Sequence, residues 1–247
     1  MTNHTADRHH LVVVAHPDDE SFGCGSLIAR AVAAGTKITV VCATRGELGE
    51  RVPDPATDHV DLGVLREQEL REAAAVLGVD AVEVLAHSDS GFDGVLASRA
   101  LCSRSVTELA SELSAILDRL EPTEVLVLDG SDGHRDHQHV RVAAESVVRQ
   151  RTGVTLTQSS LSNTLMRRWV AEMRAEQPDT VYVDLDLDTL GRPDAELEAM
   201  DTSAHLATRE RAMACHRSQR SPYDDLSPQL RRAFLSTDYV VATRRPD

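Results

Sequence analysis

The sequence predicts an α/β fold, a mostly parallel sheet with helices on both faces, on three observations. Valine-rich apolar runs at 11–15 (LVVVA) and 37–43 (KITVVCA) lack polar alternation, the pattern of strands buried on both faces. Strand-like and helix-like segments alternate through residues 1–150, as crossover connections require. Long polar loops follow the strands at 11–15 and 124–128, and parallel sheets bind ligands beyond the carboxyl ends of their strands.

The elements follow in order. After the first strand, residues 26–34 read as a helix closed by Gly35. The second strand, 37–43, leads into a polar loop at 44–63, long enough to be functional. Residues 65–77 read as a helix capped by Gly78, 82–85 as a short strand, and 106–120 as an amphipathic helix stopped before Pro122. The strand at 124–128 precedes the polar stretch DGSDGHRDHQH, after which helices are expected at 140–150 and 161–175. A strand at 181–185, one long helix at 195–215 and a last strand at 238–243 complete the expectation. The fold class is thus a Rossmann-like sheet, a single domain over 1–247 with C-terminal helical additions and a flexible stretch at 1–10.

Composition narrows the function. The chain has 247 residues and a formal net charge of -14, with no basic face for nucleic acid or an anionic membrane. Aromatics make up only 3%, too few for base-stacking platforms. No run has the length of a membrane-spanning helix. Four scattered cysteines without a CxxC pair and no secretory signal lead to the expectation of a soluble, cytoplasmic protein with reduced thiols.

Two clusters carry the chemistry. The first strand ends in His16, Pro17, Asp18, Asp19 and Glu20. A helix start would explain Pro17 and one acid, but not a histidine and adjacent carboxylates. The second cluster, Gly133-His134-Arg135-Asp136-His137-Gln138-His139, follows another strand of the same sheet. Imidazole and carboxylate are zinc ligands, and a catalytic zinc keeps three protein ligands and one open position. Two histidines and an aspartate from neighbouring strand tips meet that need.

AHPDDE after an N-terminal strand, with GHRDH after a later one, resembles the LmbE/PIG-L family of metal-dependent de-N-acetylases. ATRGELG at 43–49, the Arg66 helix with its trailing LG, DSG at 89–91 and the stretch ending in CHRSQ at 215–219 also resemble the family. The resemblance implies His16, Asp19 and His137 as ligands of Zn²⁺, with Fe²⁺ an equally suited ion for a His₂-Asp set. It implies Asp18 as general base, His134 as oxyanion stabiliser or acid to the leaving amine, and Asp136 as the group orienting a histidine. Arg66 and Asp89 match positions that hold sugar hydroxyls, although a helix-face ion pair of Arg66 with Glu69 is the plainer reading. A small-molecule amino-sugar conjugate or other acylated amine is the implied partner, and a homo-oligomer is compatible with the family.

Hydrolysis of an acetamide fits these residue types. Zinc lowers the pKa of its water toward about 7 and polarises a carbonyl. Asp18 can take a proton, and a protonated His134 would offset charge on the tetrahedral intermediate. Arg135 stands where many relatives have proline, free to pair with Asp132 or Asp136 or to meet an anionic substrate, and DGSDG lacks the tyrosine of some sugar deacetylases. Cys24 reads as a buried thiol, His139 as the start of a helix pointing away, Glu20 as a supporting acid, and His216 as part of a pocket wall. An amidase of thiol conjugates, a tailoring deacetylase of a natural product, and a non-catalytic sugar- or metal-binding α/β protein are the alternatives. A receiver-like Mg²⁺ domain is disfavoured, because Lys37 is the one lysine.

Overall fold

The structure is a computed structural model that describes residues 8–176 and 186–241. In chain order the elements are β1 (His9–Val14), α1 (Asp19–Phe22), α2 (Gly25–Ala33), β2 (Lys37–Cys42), α3 (Leu62–Leu77) and β3 (Ala81–Val84). Then come α4 (Val106–Leu120), β4 (Glu124–Leu128), α5 (Arg135–Val148), β5 (Thr155–Ser160) and α6 (Asn163–Glu176). The C-terminal part holds β6 (Leu197–Asp201), α7 (Leu206–Met213), α8 (Pro228–Ser236) and β7 (Thr237–Val241).

The sheet order is β3-β2-β1-β4-β5-β7-β6. Strands β3 to β5 are all parallel, whereas β7 is antiparallel to both β5 and β6. The chain leaves β1 toward β2 and later returns to place β4 on the other side of β1, so the switch point lies between β1 and β4. Both chemistry-bearing clusters follow these two strands, which is where a crevice opens in such a sheet.

Alternate side chains of the central strands feed two cores. Leu11, Val13, Val125 and Val127 pack with Leu113 and Leu117 of α4 and Ala143 and Val147 of α5. Val12, Val14, Val40 and Leu126 pack with Ile28 of α2 and Leu70 and Leu77 of α3. A third apolar cluster joins α6 to α8 through Trp169, Val170, Leu230 and Phe234. Helix ends follow local chemistry: Ser105 and Glu108 form a reciprocal capping box on α4, and Gly78 closes α3 in the left-handed conformation.

The parallel half matches expectation closely, with differences where tertiary pairing decides. His9 and His10, expected to be flexible, belong to β1, and His9 bonds Thr39 and the Leu120 carbonyl. Helix α3 starts at Leu62 rather than 65, because the Asp61 carboxylate accepts the Val64 N–H at 3.1 Å. Helix α5 starts at Arg135, not 140, because the His134 ring accepts the Asp136 N–H at 3.2 Å and caps it. The second histidine cluster is therefore a helix turn as much as a loop.

The long helix expected at 195–215 does not form. LEAMD is a good helical sequence, but it pairs along β7 as β6, and α7 is confined to Leu206–Met213. Strand β5 (TLTQSS) has no apolar run and is a strand because β4 and β7 flank it. Helix α8 has no counterpart in the expectation, although Ser227 as cap and Pro228 in the first turn are its signature. The C-terminal part thus adds strands as well as helices. The strand expected at 181–185 lies outside the described residues, as do positions 242–243 of the last one.

Leu113 is fully buried between α4 and the sheet. Leu113→Ala should cost about 2–5 kcal/mol, read as a lower denaturant midpoint with an unchanged slope. A loss below about 0.5 kcal/mol, the range of surface substitutions, would contradict this core assignment.

Candidate metal centre and catalytic site

The turn after β1 carries the first cluster in an unusual backbone. Asp18 has φ 121° and ψ -30°, a conformation that costs an L residue about 1–3 kcal/mol. Its carboxylate caps nothing in α1. The acid is therefore not there to start a helix. Oδ2 of Asp19 accepts the N–H groups of Ala15 and His16 at 3.1 and 2.8 Å, leaving Oδ1 to face the second cluster.

Three donor atoms converge there. His16 Nδ1 lies 3.3 Å from His137 Nε2, which lies 3.2 Å from Asp19 Oδ1, and His16 Nδ1 is 3.6 Å from Asp19 Oδ2. Ligands at about 2.0–2.1 Å around a tetrahedral ion stand about 3.3 Å apart. Each imidazole has its other nitrogen engaged by a carboxylate. His16 Nε2–H donates to Asp136 at 3.1 Å, with Asp89 at 3.4 Å, and His137 Nδ1–H donates to Asp132 at 2.5 Å. Those contacts fix the tautomers and turn both lone pairs toward Asp19. Lone pairs and a carboxylate repel unless a cation sits between them, so the donor set fits a metal ion.

The electrostatics agree. Burial works against a charged His16, yet Asp136, Asp89 and Asp19 outweigh it and raise its pKa to about 9. His137 is raised well above its ordinary value against burial by Asp132 and Asp19. Asp19 is held far below the carboxylate range by His137 and His16 despite burial. The acids surrounding these rings demand positive charge.

His134 also lies near, its ring 4.6 Å from His16 and 4.8 Å from His137. The sets His16-His134-His137 and His16-Asp89-Asp136 each lie within metal-binding reach. Chemistry separates His134 from the ligands: its Nδ1 accepts the Asp136 N–H, so the neutral ring carries its proton on Nε2. Burial and the neighbouring His16 and His137 lower its pKa to about 4. A cation at the centre pushes the same way. Burial and the hydrogen bond from the Asp136 N–H favour the neutral ring, an Nε2–H donor, over the protonated His134 that the sequence led us to expect.

Asp18 sits on the opposite wall, its pKa raised by burial to about 6 against the pull of Arg66. Arg66 is almost fully buried and donates to Asp18 Oδ2 at 2.9 Å and to the Pro17 carbonyl at 2.6 Å, with a further bond to Gly46 O. It does not pair with Glu69. A Cβ on Gly46 or Gly49 would collide with this guanidinium, which gives the GELG glycines their reason. Asp89 accepts the N–H groups of Gly91 and Leu48 and faces His16.

Seven of the eight expected residues, His16, Asp18, Asp19, Arg66, Asp89, His134 and His137, line one cavity of about 510 Å³. Asp136 lies behind His16, fully buried, where it also accepts the Ser90 N–H and the Cys102 thiol. Sequence reasoning missed Asp132 as the partner of His137. Its signal was a carboxylate five residues before a ligand, at a strand tip. Arg135 pairs with neither Asp132 nor Asp136; it donates to the carbonyls of Ser90, Gly91, Asp93 and Gly94, tethering that loop. Phe92 of the same loop meets the His134 ring edge-on at 5.6 Å. His216 forms no pocket wall but is buried against Glu20, His87 pairs with Glu112, and Cys24 is a buried core thiol.

Comparison with known proteins shows the family and the fold. Over 98% of its length the chain is 37% identical to a 1D-myo-inositol 2-acetamido-2-deoxy-alpha-D-glucopyranoside deacetylase of Actinosynnema mirum, covering 94% of that protein. A protein of the same name from Mycolicibacterium gilvum is 34% identical over 95% of this chain and 90% of its own length. The crystal structure of the conserved protein TT1542 from Thermus thermophilus superposes with a TM-score of 0.61 at 23% identity, covering 94% of this chain and 93% of that one. Residues 11–148 match the family described as PIG-L: GlcNAc-PI de-N-acetylase, and the chain belongs to that family.

Proposed function

We propose that this protein is a zinc-dependent N-deacetylase that hydrolyses the acetamide of an amino-sugar conjugate in the cytoplasm. The observation that carries it is the convergence of His16 Nδ1, His137 Nε2 and Asp19 Oδ1 beside a carboxylate, Asp18, that caps no helix. The relatives named as inositol-linked acetamido-glucopyranoside deacetylases support the substrate class. The four cysteines, all free thiols, suit a reducing compartment. Fe²⁺ would satisfy the same ligands.

His16, Asp19 and His137 would hold the ion, which supplies Lewis acidity toward the amide carbonyl and a water of lowered pKa. Asp18 removes a proton from the attacking water, its buried carboxylate close enough to neutral basicity to take and return one. Arg66 keeps Asp18 Oδ2 turned into the cavity. Neutral His134 donates its Nε2–H to the oxygen on which charge develops. Protonated Asp18 then returns its proton to the nitrogen of the departing amine, so one carboxyl acts first as base and then as acid. Asp89 and Arg66, both at the cavity wall, would meet sugar hydroxyls. The cavity of about 510 Å³ has room for a sugar and part of its aglycone.

Asp18→Asn should retain about one metal ion per chain, as a three-ligand site predicts, and lose about 10²–10⁴-fold in kcat. His137→Ala should lose both metal and turnover. Elemental mass spectrometry beside an amine-release assay on acylated amino-sugar conjugates checks both. Full turnover by metal-loaded Asp18→Asn would remove Asp18 as the base.

Chelation should abolish turnover of the wild type, and zinc should restore it. Turnover that survives complete metal removal would exclude this mechanism.

A further inference from the structure

Residues 216–219 (HRSQ) follow α7 and lie outside the stretch 11–148 that matches the family. His216 and Glu20 are both buried, with His216 Nε2 2.7 Å from Glu20 Oε1. The other Glu20 oxygen accepts the Asp18 N–H at 2.9 Å. Glu20 therefore holds the backbone at the residue with φ 121°. Glu20 is the hydrogen-bonding partner of His216 among the described residues, because Nδ1 of that ring has none. The ring otherwise packs edge-on against Phe22 at 5.7 Å.

The next residues reach α3. Ser218 donates to both oxygens of buried Glu69, N–H at 2.9 Å and Oγ–H at 2.6 Å, and Arg217 pairs with Glu72 at 2.9 Å. Glu69 lies three residues along α3 from Arg66, which bonds Asp18 and Pro17. A C-terminal segment thus fixes two buried acids, Glu20, which bonds the Asp18 N–H, and Glu69, one turn along α3 from Arg66. Neither His216 nor Glu20 lines the cavity, and neither reaches the reacting atoms.

We propose that His216 is a positioning residue for the catalytic base: through Glu20 it holds Asp18 in its strained backbone conformation, so that a C-terminal segment distant in sequence completes the site. The assignment rests on Asp18 being the base. Without the His216 N–H, Oε1 of buried Glu20 keeps only the Ser21 hydroxyl, at 2.5 Å, and its carboxylate is under-satisfied, which loosens its hold on the Asp18 N–H.

The test compares wild type, His216→Leu and His216→Gln, whose side-chain amide can still donate to Glu20. Hydrogen exchange is followed in residues 15–23, with β2 as internal control, alongside metal content and acetate release from an N-acetylglucosaminyl inositol. In His216→Leu, residues 15–23 should exchange about tenfold faster while β2 is unchanged, as local opening requires. Metal content should stay at the wild-type level. Turnover should fall about tenfold or more in kcat with KM within about threefold, and His216→Gln should recover most of both losses. If His216→Leu does not fold, His216→Asn, whose amide stops short of Glu20, takes its place with the same expectations. Wild-type exchange over 15–23, loss of the metal, or a loss confined to KM would overturn the proposal. A wild type that releases no acetate would instead defeat the proposed substrate, and the exchange comparison would still decide the role of His216.

Discussion

The two facing imidazole nitrogens of His16 and His137, 3.3 Å apart, with one oxygen of Asp19 3.2 Å from His137 and the other 3.6 Å from His16, set the terms for the rest of this structure. Such a convergence is unfavourable by itself and becomes favourable around a cation. The fold supplies the opposing force. Asp136 and Asp132 hold the far sides of the two imidazoles, and the N–H groups of Ala15 and His16 hold Asp19. None of the three donors can turn away without breaking a hydrogen bond that holds it. Donor groups held in this way are preorganised for a cation.

The sheet explains why the donors meet at this place. Asp19 and His16 come from the turn after β1, and His137 from the first turn of α5 after β4. Those strands are neighbours at the switch point, where the helices that follow them diverge to opposite faces. The crevice is a consequence of topology. Asp18 uses it differently, because its φ of 121° turns the carboxylate away from the helix start and toward Arg66. The cost of that backbone is met by contacts from distant parts of the chain: Arg66 on the Pro17 carbonyl and Glu20 on the Asp18 N–H.

The C-terminal part extends this support. Buried Arg209 donates to the carbonyls of Ser21 and Phe22 at the end of α1 and pairs with Asp238 of β7 at 3.1 Å. Asp238 also accepts from Thr202 at 2.6 Å. Charges removed from water need such pairing to be tolerated. The antiparallel strands and short helices of this part therefore brace the turn that carries the site, besides covering the edge of the sheet.

By itself the sequence determined the central strands β1, β2 and β4, because short unbroken valine-rich runs between helix-like segments are the pattern of strands buried on both faces. It also determined the chemistry of the centre, because AHPDDE and GHRDH place imidazoles and carboxylates immediately after two such strands. What it could not determine were properties set by contacts between distant segments. LEAMD is composed mostly of good helix formers, yet it is a strand because it pairs along β7. Arg66 could pair locally with Glu69, but Gly46 and Gly49 open a space that takes its guanidinium to Asp18. His134 could be charged in water, yet burial among other imidazoles keeps it neutral. His216 could line a pocket, but it lies against Glu20, 196 residues away in the chain. Local pattern records what a segment can bury and which groups it offers; only the packed structure decides which partner each buried group finds.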